Sequence, residues 1–139
     1  VASRRAAERY GLEVLAEGLQ DNDQNFTRFL VLAPADTDAS PVGSGEPKTS
    51  ITFVLQDNVP GALFKSLAVF ALRELDLAKI ESRPLVGQPG RYRFYLDVHG
   101  DVEAEAVARA LDHLREITME LQVLGSYPRG ATYPDGAER

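Results

Sequence analysis

Between Lys48 and Leu124 the apolar residues switch repeatedly between a two-residue period and one of about 3.6 residues, and the order of these switches limits the fold more than composition does. Ser50–Leu55 alternates, with Ile51, Phe53 and Leu55 on one face. Ala62–Leu75 carries Leu63, Leu67, Phe70 and Ala71 on a helical stripe. Leu77–Arg83 predicts a strand closed by Pro84, and Arg91–Val98 a second, with Tyr92, Phe94, Leu96 and Val98 on one face. Val102–Ile117 predicts a helix with Val107, Ala110, Leu111, Leu114 and Ile117 inward, and Glu120–Leu124 a last strand. Turn signals at Asp57–Gly61 and Val86–Gly90 separate the elements. The order βαββαβ predicts an α+β, ferredoxin-like sandwich with both helices on one face of a four-stranded antiparallel sheet.

The preceding residues look different. Residues 1–10 predict a helix stopped at Gly11, Leu12–Leu15 alternates like a short strand, and Phe29-Leu30-Val31-Leu32 reads as a strand buried on both faces. These are pieces of an α/β layer without the rest of its sheet, and about 33 residues bury too little surface to fold alone. The expected organisation is an α/β segment over 1–33, a Pro/Ser/Gly linker over 34–47, the sandwich over 48–127 and a tail over 128–139. The chain opens without Met and directly on helical pattern, so it is read as the C-terminal part of something longer.

Bulk properties exclude several classes. The chain has 139 residues and no cysteine, which rules out disulfides and thiolate metal sites and fits a reducing, cytoplasmic setting. With only two histidines, His99 and His113, far apart in sequence, no metal site and no cofactor is expected. A net charge of −6 argues against nucleic acid. No apolar run is long enough to span a membrane.

Two motifs stand out. Asn58-Val59-Pro60-Gly61-Ala62-Leu63-Phe64 reads plainly as a strand-to-helix turn. It also reads as a place where small residues let a ligand approach exposed helix-start N–H groups, which suit a carboxylate. Glu81-Ser82-Arg83-Pro84 reads plainly as a charged edge strand ending at Pro, with Glu81 and Arg83 free to pair with each other. In the expected fold the end of the second strand lies beside the start of the first sandwich helix, so both motifs are expected to face one cleft. Such a cleft offers donors for a carboxylate, acceptors for an ammonium and an apolar slot.

These motifs resemble the G-A-L and E-S-R-P motifs of the phenylalanine-binding ACT domain, shared by prephenate and arogenate dehydratases and by aromatic amino acid hydroxylases. The resemblance covers roughly residues 48–127. It implies that two ACT domains pack side by side with L-phenylalanine between them, as a homodimer or a tetramer. It assigns Asn58, Pro60, Gly61, Ala62, Leu63, Glu81, Ser82 and Arg83 to the phenylalanine site.

A third motif, Asn25-x-Thr27-Arg28-Phe29, reads on its own as a turn entering a strand. Its place before a linker and an ACT-like unit resembles the end of the catalytic domain of prephenate dehydratases, a two-lobed α/β domain like a periplasmic binding protein, where N-x-T-R-F lines the active-site cleft. The resemblance extends through Ala7–Gly11 and Leu15–Gly18. It implies a carbon–oxygen lyase of phenylalanine biosynthesis, converting prephenate to phenylpyruvate, water and CO2, with arogenate an equally open substrate. A Thr hydroxyl can hydrogen-bond the leaving oxygen as its negative charge grows, and an Arg can hold a carboxylate with two parallel bonds. Thr27 is assigned the first role, Arg28 the second, and Asn25 a supporting one, while this stretch of chain is expected to be inactive by itself. The alternative is a phenylalanine-sensing ACT module of a hydroxylase or a stand-alone regulator. His99, His113, Asp21, Asp23 and Asp101 read as surface, capping or turn residues, and Lys48 and Arg73 as surface charge.

Overall fold

The computed structural model describes residues 1–19, 21–22, 29–30, 32, 34 and 45–130. The chain divides into two compact units; the described residues of the first lie within Val1–Leu32 and those of the second within Ala33–Thr132.

In the first unit, helix α1 (Arg4–Tyr10) starts at Ser3, whose hydroxyl accepts the Ala6 N–H at 3.2 Å, and stops at Gly11 in the left-handed conformation, φ 60°. Arg4 grips the Glu17 carboxylate with two bonds from Nη2, at 2.7 and 2.9 Å. The strand expected over Leu12–Leu15 is absent, and Leu12, Val14 and Leu15 are exposed. Phe29 and Leu30 are likewise exposed and outside any strand, against the expected doubly buried one. Alternation gives a strand only where a neighbour takes up its N–H and C=O groups, and no described residue of this unit supplies one.

The second unit follows the expected order, with wider strands and shorter helices. It comprises β1 (Pro47–Leu55), α2 (Ala62–Ala71), β2 (Leu77–Pro84), β3 (Tyr92–His99), α3 (Glu105–Ile117) and β4 (Thr118–Pro128). The antiparallel sheet has the order β2-β3-β1-β4, so β1 and β3 are central and β2 and β4 are edges. Pro84 is tolerated because β2 is an edge. α2 ends before the expected Leu75: Glu74 takes φ 56°, and the N–H groups of Leu75 and Glu74 return to the carbonyls of Phe70 and Ala71. This is the Schellman pattern, with Glu where Gly is usual. β4 outruns the expected Leu124 because β1 continues to Pro47 and pairs with it up to Pro128.

The helices cover one face. Ile51 and Phe53 of β1, and Leu96 and Val98 of β3, pack against Phe70 of α2 and Leu114 of α3, all essentially inaccessible. The Phe53 and Phe94 rings stack at 5.3 Å.

The face away from the helices is closed differently. Its middle row is Lys48, Ser50, Thr52 and Val54 of β1, covered or held by residues from the flanking strands. Val54 lies opposite Arg93 on one side and Glu120 on the other, and these two join above it at 2.6 and 2.7 Å, leaving Val54 1% exposed. The hydrogen bond from Arg93 holds the Glu120 carboxyl below its usual value, and the same bond raises Arg93. Further along, the Ser50 hydroxyl donates to Asp97 Oδ1 at 2.6 Å and accepts from the Tyr127 hydroxyl at 2.7 Å. Lys48, read from the sequence as surface charge, is buried here. Its ammonium meets Asp97 Oδ2 at 2.9 Å and stands 5.3 Å from the centre of the Tyr127 ring. A bulge between the Ser50 and Ile51 pairings shifts β4 by one residue and sets Tyr127 opposite Lys48. Thr52, next along the row, is 2% exposed and its hydroxyl has no partner among the described residues.

Candidate functional site

The turn from β1 into α2 has an unusual helix start. Gly61 precedes α2 at φ 84°, a conformation that strains any residue with a Cβ, and no side chain caps the helix. The Ala62 N–H turns back to Val59 O at 3.1 Å and the Lys65 N–H bonds Gly61 O at 2.9 Å. The N–H groups of Leu63 and Phe64 make no such bond among the described residues, so they face outward as donors. A Cβ on Gly61 would meet no described atom within 4 Å, so the approach to Gly61 is open among the described residues.

Asn58 donates from Nδ2 to Gly90 O at 2.9 Å, and Arg91 donates from Nη2 to Gln56 O at 3.0 Å. Both bonds tie the β1–α2 turn to the β2–β3 turn, and both motifs therefore lie at one end of the sheet. Asn58 is thus held by the fold, and Pro60, Gly61, Ala62 and Leu63 follow it into the helix.

Glu81, Ser82 and Arg83 lie on edge strand β2, opposite Tyr95, Phe94 and Arg93. Phe94 belongs to the helix-side core, so Ser82 shares the α2 face while Glu81 and Arg83 point to the other. Ser82 alone of the three therefore turns its side chain toward the α2 side. Glu81 is engaged by Lys79 at 3.1 Å and by Arg83 at 3.6 Å, the pairing that the plain reading allowed. Asn25, Thr27 and Arg28 lie outside the described residues.

A separate groove of about 590 Å³ opens between the C-terminal end of α2 and the first turns of α3, lined by Leu72, Arg73, Glu105, Ala106, Arg109 and His113. Arg73, read as surface charge, is half-buried here and donates to Val69 O at 2.7 Å. The spacing of Glu105, Arg109 and His113, one helical turn apart each time, was the available sequence signal for this wall.

The prephenate dehydratase family model matches residues 1–37. The chain is 49% identical over 129 residues to the bifunctional chorismate mutase/prephenate dehydratase of Aquifex aeolicus, covering 93% of this chain and 34% of that protein. The chain belongs to the prephenate and arogenate dehydratase family. Within this family it is also 46% identical over 144 residues to arogenate dehydratase/prephenate dehydratase 2 of Arabidopsis thaliana, covering 95% of this chain and 36% of that one. A crystal structure of the Arthrobacter aurescens prephenate dehydratase in complex with L-Phe matches with a TM-score of 0.60 and 38% identity, over 70% of this chain and 32% of that one. The chain thus spans about a third of the length of these family members. Its second unit has the α+β, ferredoxin-like fold of the ACT type.

No helix of the described residues is long and apolar enough to cross a membrane, and no group of acidic and histidine side chains among them could hold a metal.

Proposed function

We propose that this chain is the phenylalanine-sensing part of a prephenate dehydratase acting in the cytoplasm, and that its sheet unit, residues 48–127, is the sensor. The observation that carries the reading is the uncapped start of α2 behind Gly61, which offers free N–H donors to an amino-acid carboxylate in open space. The likeness to a dehydratase crystallised with L-Phe supports it, and the family match over residues 1–37 favours a dehydratase over a hydroxylase.

The ligand site is completed by a second copy. Within one chain Glu81 and Arg83 turn away from the α2 side, and β2 leaves its outer edge unpaired among the described strands. The edge is self-complementary in sign. Antiparallel pairing of two β2 strands about Ile80 sets Lys79 against the other copy's Glu81, and pairing about Ser82 sets Glu81 against the other copy's Arg83. Pairing about Glu81 would oppose like charges. The first two registers are favoured, and they bring the Ser82 region and an α2 start to one dimer seam, within a dimer or a tetramer built from it.

In the whole enzyme, Thr27 stabilises the departing hydroxyl of prephenate or arogenate, Arg28 anchors a substrate carboxylate and Asn25 supports them. This chain alone does not turn over prephenate. Phenylalanine controls activity only if it binds one arrangement of the enzyme better than another.

Calorimetry with phenylalanine, tyrosine and tryptophan tests the sensor. Gly61→Val should abolish the phenylalanine heats that belong to the α2-start site, and Ser82→Ala, which the strand accommodates, should weaken them while circular dichroism stays unchanged. Normal phenylalanine binding by both variants overturns the site. For the catalytic assignment, Thr27→Ala in a complete dehydratase should lower kcat by about 100-fold, and an unchanged kcat removes Thr27 from the mechanism.

A further inference from the structure

The groove at the far end of α2 has the chemistry of an amino-acid site, and the expected motifs do not touch it. α2 has ten residues, so the groove lies about 15 Å along the helix from Gly61. Its lining combines three elements. Arg73 comes from the turn after α2, and Arg109 and His113 come from one face of α3; together they supply carboxylate donors. Glu105 supplies an acceptor for an ammonium. Leu72, 78% exposed, and Ala106 form an apolar wall with room beside it.

We propose that this groove is a second small-molecule site, for a zwitterionic α-amino acid with an apolar side chain. Arg73 is preorganised: it spends Nη1 on Val69 O at 2.7 Å, which fixes the guanidinium while Nε and Nη2 keep their donors. Arg109 and Glu105 pair with each other at 2.5 Å in the free protein, with side chains 70% and 77% exposed. A pair so exposed stabilises the helix little and opens at little cost. The ligand carboxylate then takes the place of Glu105 on Arg109 and reaches Arg73, while the ammonium takes the place of Arg109 on Glu105. One exchange satisfies all five charges, and the side chain of the ligand covers Leu72. A plain carboxylate would leave Glu105 facing an anion, and a plain amine would leave both arginines without an acceptor.

The test is a 15N NMR titration of the full 139-residue chain with L-phenylalanine, 3-phenylpropionate and 2-phenylethylamine. L-Phenylalanine should shift the amides of Ala106 and His113, and each analogue lacking one charge should bind there about tenfold more weakly. Arg109→Ala should abolish these shifts, and Glu105→Gln should weaken phenylalanine about tenfold without weakening phenylpropionate. Both side chains are on the surface, so the fold should survive. Gly61→Val should leave the groove shifts intact, which separates this site from the motif site: shifts at Leu63 and Ser82 report that one, shifts at Ala106 and His113 this one. No shift at Ala106 and His113 at millimolar phenylalanine overturns the proposal. So does phenylpropionate binding as well as phenylalanine, or groove shifts that survive Arg109→Ala.

Discussion

The two faces of the sheet are closed by opposite means. On the helix side, Phe53, Leu96 and Leu114 exclude water by bulk and need only shape to fit. On the other side, β1 carries Lys48, Ser50, Thr52 and Val54, and water is excluded by the Arg93–Glu120 pair across Val54 and by bonds from Lys48 and Ser50 to Asp97 and Tyr127 of the neighbouring strands. The first face is forgiving of sequence and costly to hollow out. The second depends on pairs that fail when either member is lost.

Hollowing the helix side should give the largest effect. Phe53→Ala, which also removes the stack on Phe94, should cost about 3–5 kcal/mol by urea unfolding. On the bridged side, Asp97→Ala should cost about 3 kcal/mol, because the Lys48 ammonium remains buried without its carboxylate. Replacing Lys48 and Asp97 together with Met and Leu should recover most of that loss; a double variant as unstable as the single one would show that this face is held by shape after all. Thr52→Val should go the other way and stabilise by about 1 kcal/mol, since it removes a buried hydroxyl with no partner. A loss of stability there would mean that the hydroxyl is satisfied in solution.

The smallest effect is the pH response of the Arg93–Glu120 bridge. The folded-state value of Glu120 lies below its ordinary 4.5, so the bridge contributes fully above that value and its contribution is lost as pH falls through the folded value. Both partners are partly solvated, so the change is modest. The melting temperature of the wild type should therefore exceed that of Glu120→Gln at neutral pH and converge with it below pH 4.5. Curves that stay parallel would detach the bridge from stability.

The contrast also explains what could be read in advance. The helix-side face is written in local periodicity, so Phe94, Leu96 and Val98, or Val107, Leu111 and Leu114, disclose it without knowledge of their partners. Lys48 could not be read that way. Its burial depends on Asp97, 49 residues on, and on Tyr127, whose register a bulge adjusts. Leu12–Leu15 fails for the mirror-image reason: alternation was present, but no strand lies beside it among the described residues. At the candidate site, Gly61 and the edge position of Ser82 were legible from local signals. The outward turn of Glu81 and Arg83 followed only once the pairing with Tyr95 and Arg93 was known. Arg73 escaped because a lone arginine after a helix looks solvated until the opposing helix is in place.

The seam where the chain enters and leaves the sheet unit has a broader consequence. The Gly45 and Arg129 N–H groups bond Arg129 O and Glu46 O, and Gly100 N–H closes on Pro47 O beside them. Entry and exit therefore stand one strand spacing apart, about 4.8 Å. A unit closed in this way behaves as a cassette. It can be spliced into a surface loop of an unrelated protein with little strain on either, and gene fusion is an inexpensive route by which such a unit passes from one protein to another.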